Sequence, residues 1–456
     1  MMSFLNRSIP IWCRSPILHT AVVLIFLLVS GLLPGLREAP SLGFPEKKLI
    51  SLRGKLLEDP RLFSPSVWDS GGRGMAGIAV SETGAEGLPG VPGPAEASAG
   101  GRVQVFFPGG SMPRVKEFGR GSELYVEGRF TPSNTGGRFS ARSVHILKPA
   151  PPLERFRTAL RGGLIKRLVE RKGKPNKWGG LAAALLLGTR ENMDGGTASR
   201  FRDAGVSHVL ALSGMHLAIL SGLLALLLRP LLGKKGAALG GLLFIGAYIF
   251  LVGPQPSLVR AGIMYALGVL ILFRGMQRQS VPVLAAAFCL HLLADSRSAF
   301  SPSFILSYTA LAGILLLSGP FRLFLERFLP GSLARPLSAS LGAFTASAPA
   351  AAAFFGVLRP VGIAAGIVTV PLISLFMALS GSYLLLGFAP PLAVLLDTLL
   401  NVIQGLIYRT VELASLVPGI ELPLALAALL CPLFIVLLLI VSGLYRNYRN
   451  YLAPFA

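Results

Sequence analysis

Charged side chains are scarce. Asp, Glu, Lys and Arg make up 14% of the 456 residues, against 52% hydrophobic, and the mean hydropathy is +0.64. That balance excludes an ordinary soluble domain. Apolar runs fall near 17–36, 206–228, 236–252, 257–273, 280–294, 302–318, 337–355, 361–387, 392–408 and 422–444. Most are long enough to cross a bilayer, and they lack the alternation of barrel strands, so they predict a polytopic helical membrane protein. The long run at 361–387 invites a break at Pro371 or at Ser380-Gly381.

Cysteine is nearly absent. Cys13, Cys289 and Cys431 lie far apart, and residues 45–180 contain none, which excludes a disulfide in that region and a Cys-x-x-Cys zinc site. The five histidines, His19, His145, His208, His216 and His291, are scattered, so no metal is expected. The Gly-x-x-x-x-Gly-Lys-Ser/Thr phosphate loop is missing, which argues against a nucleotide-driven motor within the chain. No cofactor is implied.

Acidic residues number 21 against 43 basic ones. Residues 151–177 hold nine cations and two acids. Such a patch suits anionic lipid or nucleic-acid phosphate. Its apolar positions, Leu153, Phe156, Leu160, Leu164, Leu168 and Val169, fall near one face of a helix, so 151–178 reads as a basic amphipathic helix at a membrane surface. Arg155, Arg157, Arg161, Lys166, Arg167, Arg171 and Lys172 are its candidates for phosphate contact.

Residues 45–150 change character. Five β-rich runs, at 49–57, 77–80, 102–107, 123–130 and 138–147, are separated by Gly, Pro and Ser, and predict a small all-β domain of the OB type. The low-complexity stretch 84–101 reads as a disordered loop. Phe106, Phe107, Tyr125 and Phe130 are either platforms for bases or, more simply, barrel core. Domain limits follow: 1–44 for a tail and first membrane helix, 45–150 for the β-domain, 151–178 for the basic helix, and 179–456 for the membrane domain. With the N-terminus in the cytoplasm, most loop cations from Arg229 to Arg449 fall inside, and the β-domain falls on the external or periplasmic side. The basic helix does not follow that rule.

Within the apolar segments a few polar residues call for an explanation. Ser213-Gly214 and His216 open a run that His208 precedes. The two histidines, eight apart, would share a face of one continuous helix. Ser213 and His216, three apart, also allow a nucleophile–base reading, although no Gly-x-Ser-x-Gly elbow surrounds them. Arg260 lies four residues after Pro256 in an apolar run, with Asp397 as a candidate partner. Small residues here have a plainer use, the close packing of helices.

At these residues the chain resembles a known family. Gly188-Thr189-Arg190, then Phe201, Gly205, His208 and Ser213-Gly214-Met215-His216, resemble the signature of the ComEC family. Arg260-Ala261 resembles its arginine-alanine helix, and Phe304, Leu306 and Ser307 are in register with its next segment. Ala348 to Gly356, Val361-Gly362 and Pro371 resemble the block that follows. The family's asparagine before that proline is replaced by Ala365-Gly366-Ile367. The chain ends at Ala456 without the metal motif of the metallo-β-lactamase-like domain often found in the family, so nuclease activity is not expected of it.

The resemblance implies a bacterial inner-membrane channel component, not an enzyme, that passes single-stranded DNA into the cytoplasm during competence. Its channel-lining or motif residues would be Gly188, Arg190, Phe201, Gly205, His208, Ser213, Gly214, His216, Arg260, Phe304, Ser307 and Pro371. Expected partners are single-stranded DNA, membrane lipids, and separate chains acting as DNA receptor, cytoplasmic motor and nuclease, with self-association open. The rival readings are a small-solute or lipid-linked transporter, or a membrane hydrolase using Ser213 and His216.

Overall fold

The computed structural model describes residues 49–62, 74–85, 95–99, 102–107, 119–131, 138–171, 173–277 and 279–421. The expected first membrane helix, the run 422–444, Lys172 and residues 86–94 and 100–101 of the low-complexity stretch lie outside these. The chain divides into two compact units, one of residues 1–36, 196–249 and 254–456, the other of residues 37–195 with 250–253.

The second unit is built on a barrel. Its strands are β1 (Leu49–Leu56), β2 (Arg61–Leu62), β3 (Gly74–Ala85), β4 (Ala95–Ser98), β5 (Arg102–Phe107), β6 (Glu123–Thr131) and β7 (Arg138–Lys148). Strand β1 pairs with both β3 and β6, so five strands close in the circular order β1–β3–β5–β7–β6. Only β5 and β7 run parallel in that ring. This is an OB-like topology. Alternation drives it: in β5, Val103, Val105 and Phe107 point inward, and in β6, Leu124, Val126 and Phe130 do. Register shifts at Arg53/Gly54 and Glu127/Gly128 bend β1 and β6 around the barrel.

Two expectations change here. Part of the stretch 84–101 is ordered: β4 pairs with β3 from Glu82↔Ser98 to Ala85↔Ala95, taking up the hydrogen bonds of an edge. The unit also extends past 150 and past 178. Helix α1 (Pro152–Val169), the short pair β8 (Glu170–Arg171) and β9 (Lys174–Pro175), and helix α2 (Gly179–Leu187) belong to it. Ion pairs from α1 to Asp59 tie the helix to the barrel segment after β1. Every residue of α2 is buried.

The first unit is helical. It contains α3 (Thr197–Asp203), α4 (Ser207–Leu210), α5 (Gly214–Val252), α6 (Pro256–Phe273), α7 (Ser280–Ala294), α8 (Pro302–Leu325), α9 (Gly331–Phe355), α10 (Val361–Leu386) and α11 (Pro390–Ser415). A 3-10 turn, Ser296–Phe300, precedes α8, and β10 (Val357–Leu358) pairs with β11 (Ile420–Glu421). Among the described residues six helices, α5, α6, α8, α9, α10 and α11, are long and apolar enough to cross a membrane. The protein is therefore a mainly α, multi-pass membrane protein with an OB-like β-domain.

Helix α5 is interrupted at Gly233, whose φ is 66° and ψ −177°. This is the junction expected between the runs 206–228 and 236–252. Helix α10 is unbroken, although it holds Pro371 and Ser380. The Ser380 hydroxyl donates to the Phe376 carbonyl within the helix, so it needs no break to satisfy it.

Candidate functional site

The one continuous helix expected to carry His208 and His216 is two helices. Ala211 is extended, with φ −80° and ψ 137°, and α5 starts afresh at Gly214. His208 is exposed on α4 and His216 is fully buried on α5, so they do not share one helical face. The backbone N–H of Ser213 donates to His216 Nδ1 at 3.1 Å. This is half of a capping box: the third helical residue reaches back to the N–H that precedes the helix, with imidazole in place of the usual carboxylate. It also decides against the simple hydrolase geometry. His216 Nδ1 accepts from a backbone amide, so that nitrogen is not free to take a proton from the Ser213 hydroxyl.

Three motif segments meet beside this cap. The Ser257 hydroxyl donates to the Leu212 carbonyl at 2.5 Å, which fixes the start of α6 against the turn. One turn on, the Arg260 guanidinium donates to the Ser307 carbonyl of α8 and lies 5.7 Å from the centre of the Tyr308 ring. A Cβ on Gly214 would sit 3.1 Å from Arg260 Nη2 and 3.2 Å from the Ala261 Cβ. The small residue thus lets α5 approach the arginine.

Below Arg260 is an aromatic cluster. The Tyr308 and Phe304 rings are 4.6 Å apart, and His291 and Phe304 are 4.9 Å apart. The Tyr308 hydroxyl donates to the Ala287 carbonyl at 3.1 Å and lies 3.3 Å from His291 Nδ1. Ser213, Gly214, His216, Arg260, Phe304 and Ser307 are therefore brought to one place. Ser257, His291 and Tyr308 complete it. His291 was one of the scattered histidines, and the sequence signal of the other two was position: Tyr308 follows Ser307, and Ser257 lies one turn before Arg260.

Arg260 is 9% exposed and His216 0%. Arg260 Nε and His216 Nε2 have no hydrogen-bond partner among the described residues. Arg260 does not pair with Asp397. Among the described residues this guanidinium, buried in a membrane-spanning helix, is held by a carbonyl and a ring face and is matched to no carboxylate, an unneutralised cation there.

The other motif residues lie elsewhere. Phe201 is buried on α3. Gly205, with φ 73°, presses on the start of α10: an added Cβ would meet the Arg359 carbonyl at 2.9 Å, and one on Gly362 would meet the Gly205 carbonyl at 2.6 Å. Arg359 closes this contact by pairing with Asp203 at 2.9 Å. Pro371 is exposed in the middle of α10. Gly188 ends α2 in the left-handed region at φ 71°, and Arg190 is exposed just after it; both belong to the other unit.

The phosphate candidates on α1 separate into two groups. Arg157 is 1% exposed and pairs with Asp59 at 2.5 Å and Glu154 at 2.6 Å. It also donates to the Leu251 carbonyl. Arg161 pairs with Asp59 at 2.6 Å and donates to the Leu187 carbonyl. Burial pushes the Asp59 carboxyl up, but Arg157 and Arg161 outweigh this and hold it below the usual carboxylate range. These two arginines are structural, a correction to their expected role. Arg155, Lys166 and Arg167 are exposed and Arg171 is half-buried. The apolar positions Leu153, Phe156 and Leu160 are also exposed, because α1 turns two cations rather than its apolar side to the barrel. In the barrel, Phe107 and Phe130 are core, while Phe106 and Tyr125 are half-buried on the outside.

Comparison with known proteins places this geometry. An uncharacterised protein of Aquifex aeolicus (strain VF5) is 32% identical over 260 residues, 56% of this chain and 59% of that one. ComE operon protein 3 of Bacillus subtilis (strain 168) is 30% identical over 147 residues, 31% of this chain and 19% of that protein. The uncharacterised protein YcaI of Escherichia coli (strain K12) is 27% identical over 150 residues, 31% of this chain and 20% of its own length. The chain thus spans less than two thirds of each of these relatives. The family model described as Competence protein matches residues 185–449, which include the whole Ser213–Arg260–Ser307 cluster, and by that match the chain belongs to the Competence protein family, the ComEC group.

Proposed function

We propose that this protein carries single-stranded DNA across the bacterial inner membrane during competence, and that the strand's phosphates pass Arg260. The observation that carries the reading is that cation, buried in a membrane-spanning helix with, among the described residues, one guanidinium nitrogen unpartnered and no carboxylate paired with it. A mobile polyanion supplies what the fixed structure withholds. The OB-like barrel, on the external or periplasmic face, receives the strand. Exposed Arg155, Lys166 and Arg167 gather its phosphates, while Leu153, Phe156 and Leu160 rest on the lipid surface. The driving force and the DNA receptor come from separate chains.

The test is internalisation of labelled DNA by cells in which this chain is the sole member of its family. Arg260→Gln lowers internalised, nuclease-protected DNA about tenfold or more, the worth of one charge-assisted contact. Surface-bound DNA and the level of the protein in the membrane stay unchanged. Arg260→Lys retains part of the uptake. Full uptake by a well-expressed Arg260→Gln protein would sink the reading.

A further inference from the structure

Helix α11 carries a feature that neither the family motif nor the Arg260 cluster uses. Asp397, Asn401, Gln404, Tyr408, Glu412 and Ser415 are spaced 4, 3, 4, 4 and 3 residues apart. At 100° per residue all six fall within an arc of about 80°. From first to last the stripe rises about 27 Å, close to the ~30 Å thickness of a bilayer's hydrocarbon core. On one side of it is the packed face of the helix, where Leu396, Leu400, Ile403 and Ile407 are at most 7% exposed. Far from it is the lipid-facing side, where Leu395, Leu399, Val402 and Leu406 are 39–57% exposed. Most of the stripe borders the packed face: Gln404 is buried, Asp397, Asn401, Tyr408 and Ser415 are half-buried, and Glu412 near its end is exposed.

A single polar residue in such a helix is readily satisfied within the fold, and members of this line are: Asn401 Nδ2 donates to the Asp397 carbonyl at 2.8 Å, the Ser415 hydroxyl to the Glu412 carbonyl at 2.7 Å, and Asp397, Gln404 and Tyr408 also have partners. An unbroken polar line from one end of the span to the other is different. In hydrocarbon each member carries a cost, so the line belongs against a polar or water-filled interior. Its chemistry is uneven. The middle is neutral, with two amides and a phenol, and the carboxylates Asp397 and Glu412 stand toward the ends. No cation lies on it. Such a wall repels phosphate but offers donors, acceptors and a ring to uncharged groups.

We infer that the polar stripe of α11 is a hydrated wall of the transport path, and that it meets the bases and sugars of the passing strand rather than its phosphates. This rests on the DNA-uptake reading above and divides the strand's contacts, phosphate to Arg260 and uncharged edges to α11.

The test is thiol labelling in the full-length chain, with Cys13, Cys289 and Cys431 first replaced by alanine. Single cysteines are placed on the stripe (Asn401→Cys, Gln404→Cys, Tyr408→Cys) and on the lipid side (Leu399→Cys, Val402→Cys, Leu406→Cys). A membrane-impermeant methanethiosulfonate reagent modifies the stripe roughly tenfold faster, because thiolate forms only where water reaches. A single strand held in transit protects the stripe cysteines, and inorganic phosphate does not. Equal rates on both faces would overturn the hydrated wall. So would cross-linking of stripe cysteines between two copies, or slow labelling at all six positions. Labelling without protection by the strand would overturn the contact with bases. If Arg260→Gln blocks uptake while the stripe stays unlabelled, DNA uptake stands and the role of α11 falls. Asn401→Leu with Gln404→Leu gives a second readout: uptake is lost while surface-bound DNA is retained, and normal uptake by this double variant would also overturn the proposal.

Discussion

At the scale of single residues, Ser213 and His216 show how spacing misleads. Three residues apart, they suggest a nucleophile and its base. In the fold the imidazole accepts the Ser213 backbone amide instead. That bond survives removal of the hydroxyl. Ser213→Ala is expected to keep DNA uptake and to change stability by less than about 1 kcal/mol, since only a modest polar group is lost. His216→Ala removes the cap acceptor and leaves a cavity in a fully buried position, so it costs more, about 2 kcal/mol or above. Thermal unfolding in detergent, read beside uptake, checks both. Loss of function in Ser213→Ala with unchanged unfolding would restore the hydrolase reading. Gly205 makes a second residue-scale case. Its φ of 73° and its contact with Arg359 leave no room for a side chain. Gly205→Ala should destabilise the helical unit by about 1–3 kcal/mol, the usual cost of forcing such a backbone.

At the scale of elements, the ion cluster of α1 decides how the β-unit responds to acid. Asp59 holds Arg157 and Arg161, and its carboxyl titrates below the ordinary value of 3.8. A group whose folded pKa is depressed stabilises the fold above its unfolded pKa and loses that contribution as pH falls through the folded one. The barrel and α1 should therefore separate only below about pH 4. Asp59→Asn should show the weakened contact already at neutral pH and little further change in acid, measured by hydrogen exchange in 152–169. A variant that keeps the wild-type acid response would assign that response to other carboxylates. This cluster was not legible in the sequence, where a run of cations on a helix reads as a solvated face. Nothing local says that Asp59, about a hundred positions earlier, turns two of them inward. The strands, by contrast, were legible, because inward and outward residues alternate in β1, β5, β6 and β7. Strand β4 was hidden by the small residues and glycines around it. It is specified by the edge of β3, not by its own side chains.

At the scale of the whole molecule, the sequence marked the membrane helices by hydropathy alone, but not which polar residues meet. Ser213, Arg260 and Ser307 are far apart in the chain, and only the family resemblance grouped them before the fold did. The polar line of α11 was present at helical spacing but diluted in an apolar run. What the whole molecule does with its excess of 22 positive charges is measurable in a salt series. If Arg155, Lys166 and Arg167 gather phosphates, the logarithm of single-strand affinity of the intact, purified chain falls linearly with the logarithm of salt. Replacing all three with glutamine then lowers that slope by about 2, at roughly 0.7 per neutralised phosphate of a single strand. Replacing Arg157, which already spends its charge on Asp59 and Glu154, would instead change unfolding with no such loss of slope beyond that of misfolded protein. An unchanged slope in the triple variant, with binding otherwise intact, would move those three cations from the DNA to the anionic lipid surface. The exposed Leu153, Phe156 and Leu160 beside them would then make α1 a membrane-surface helix first, and DNA would have to be met by the barrel alone.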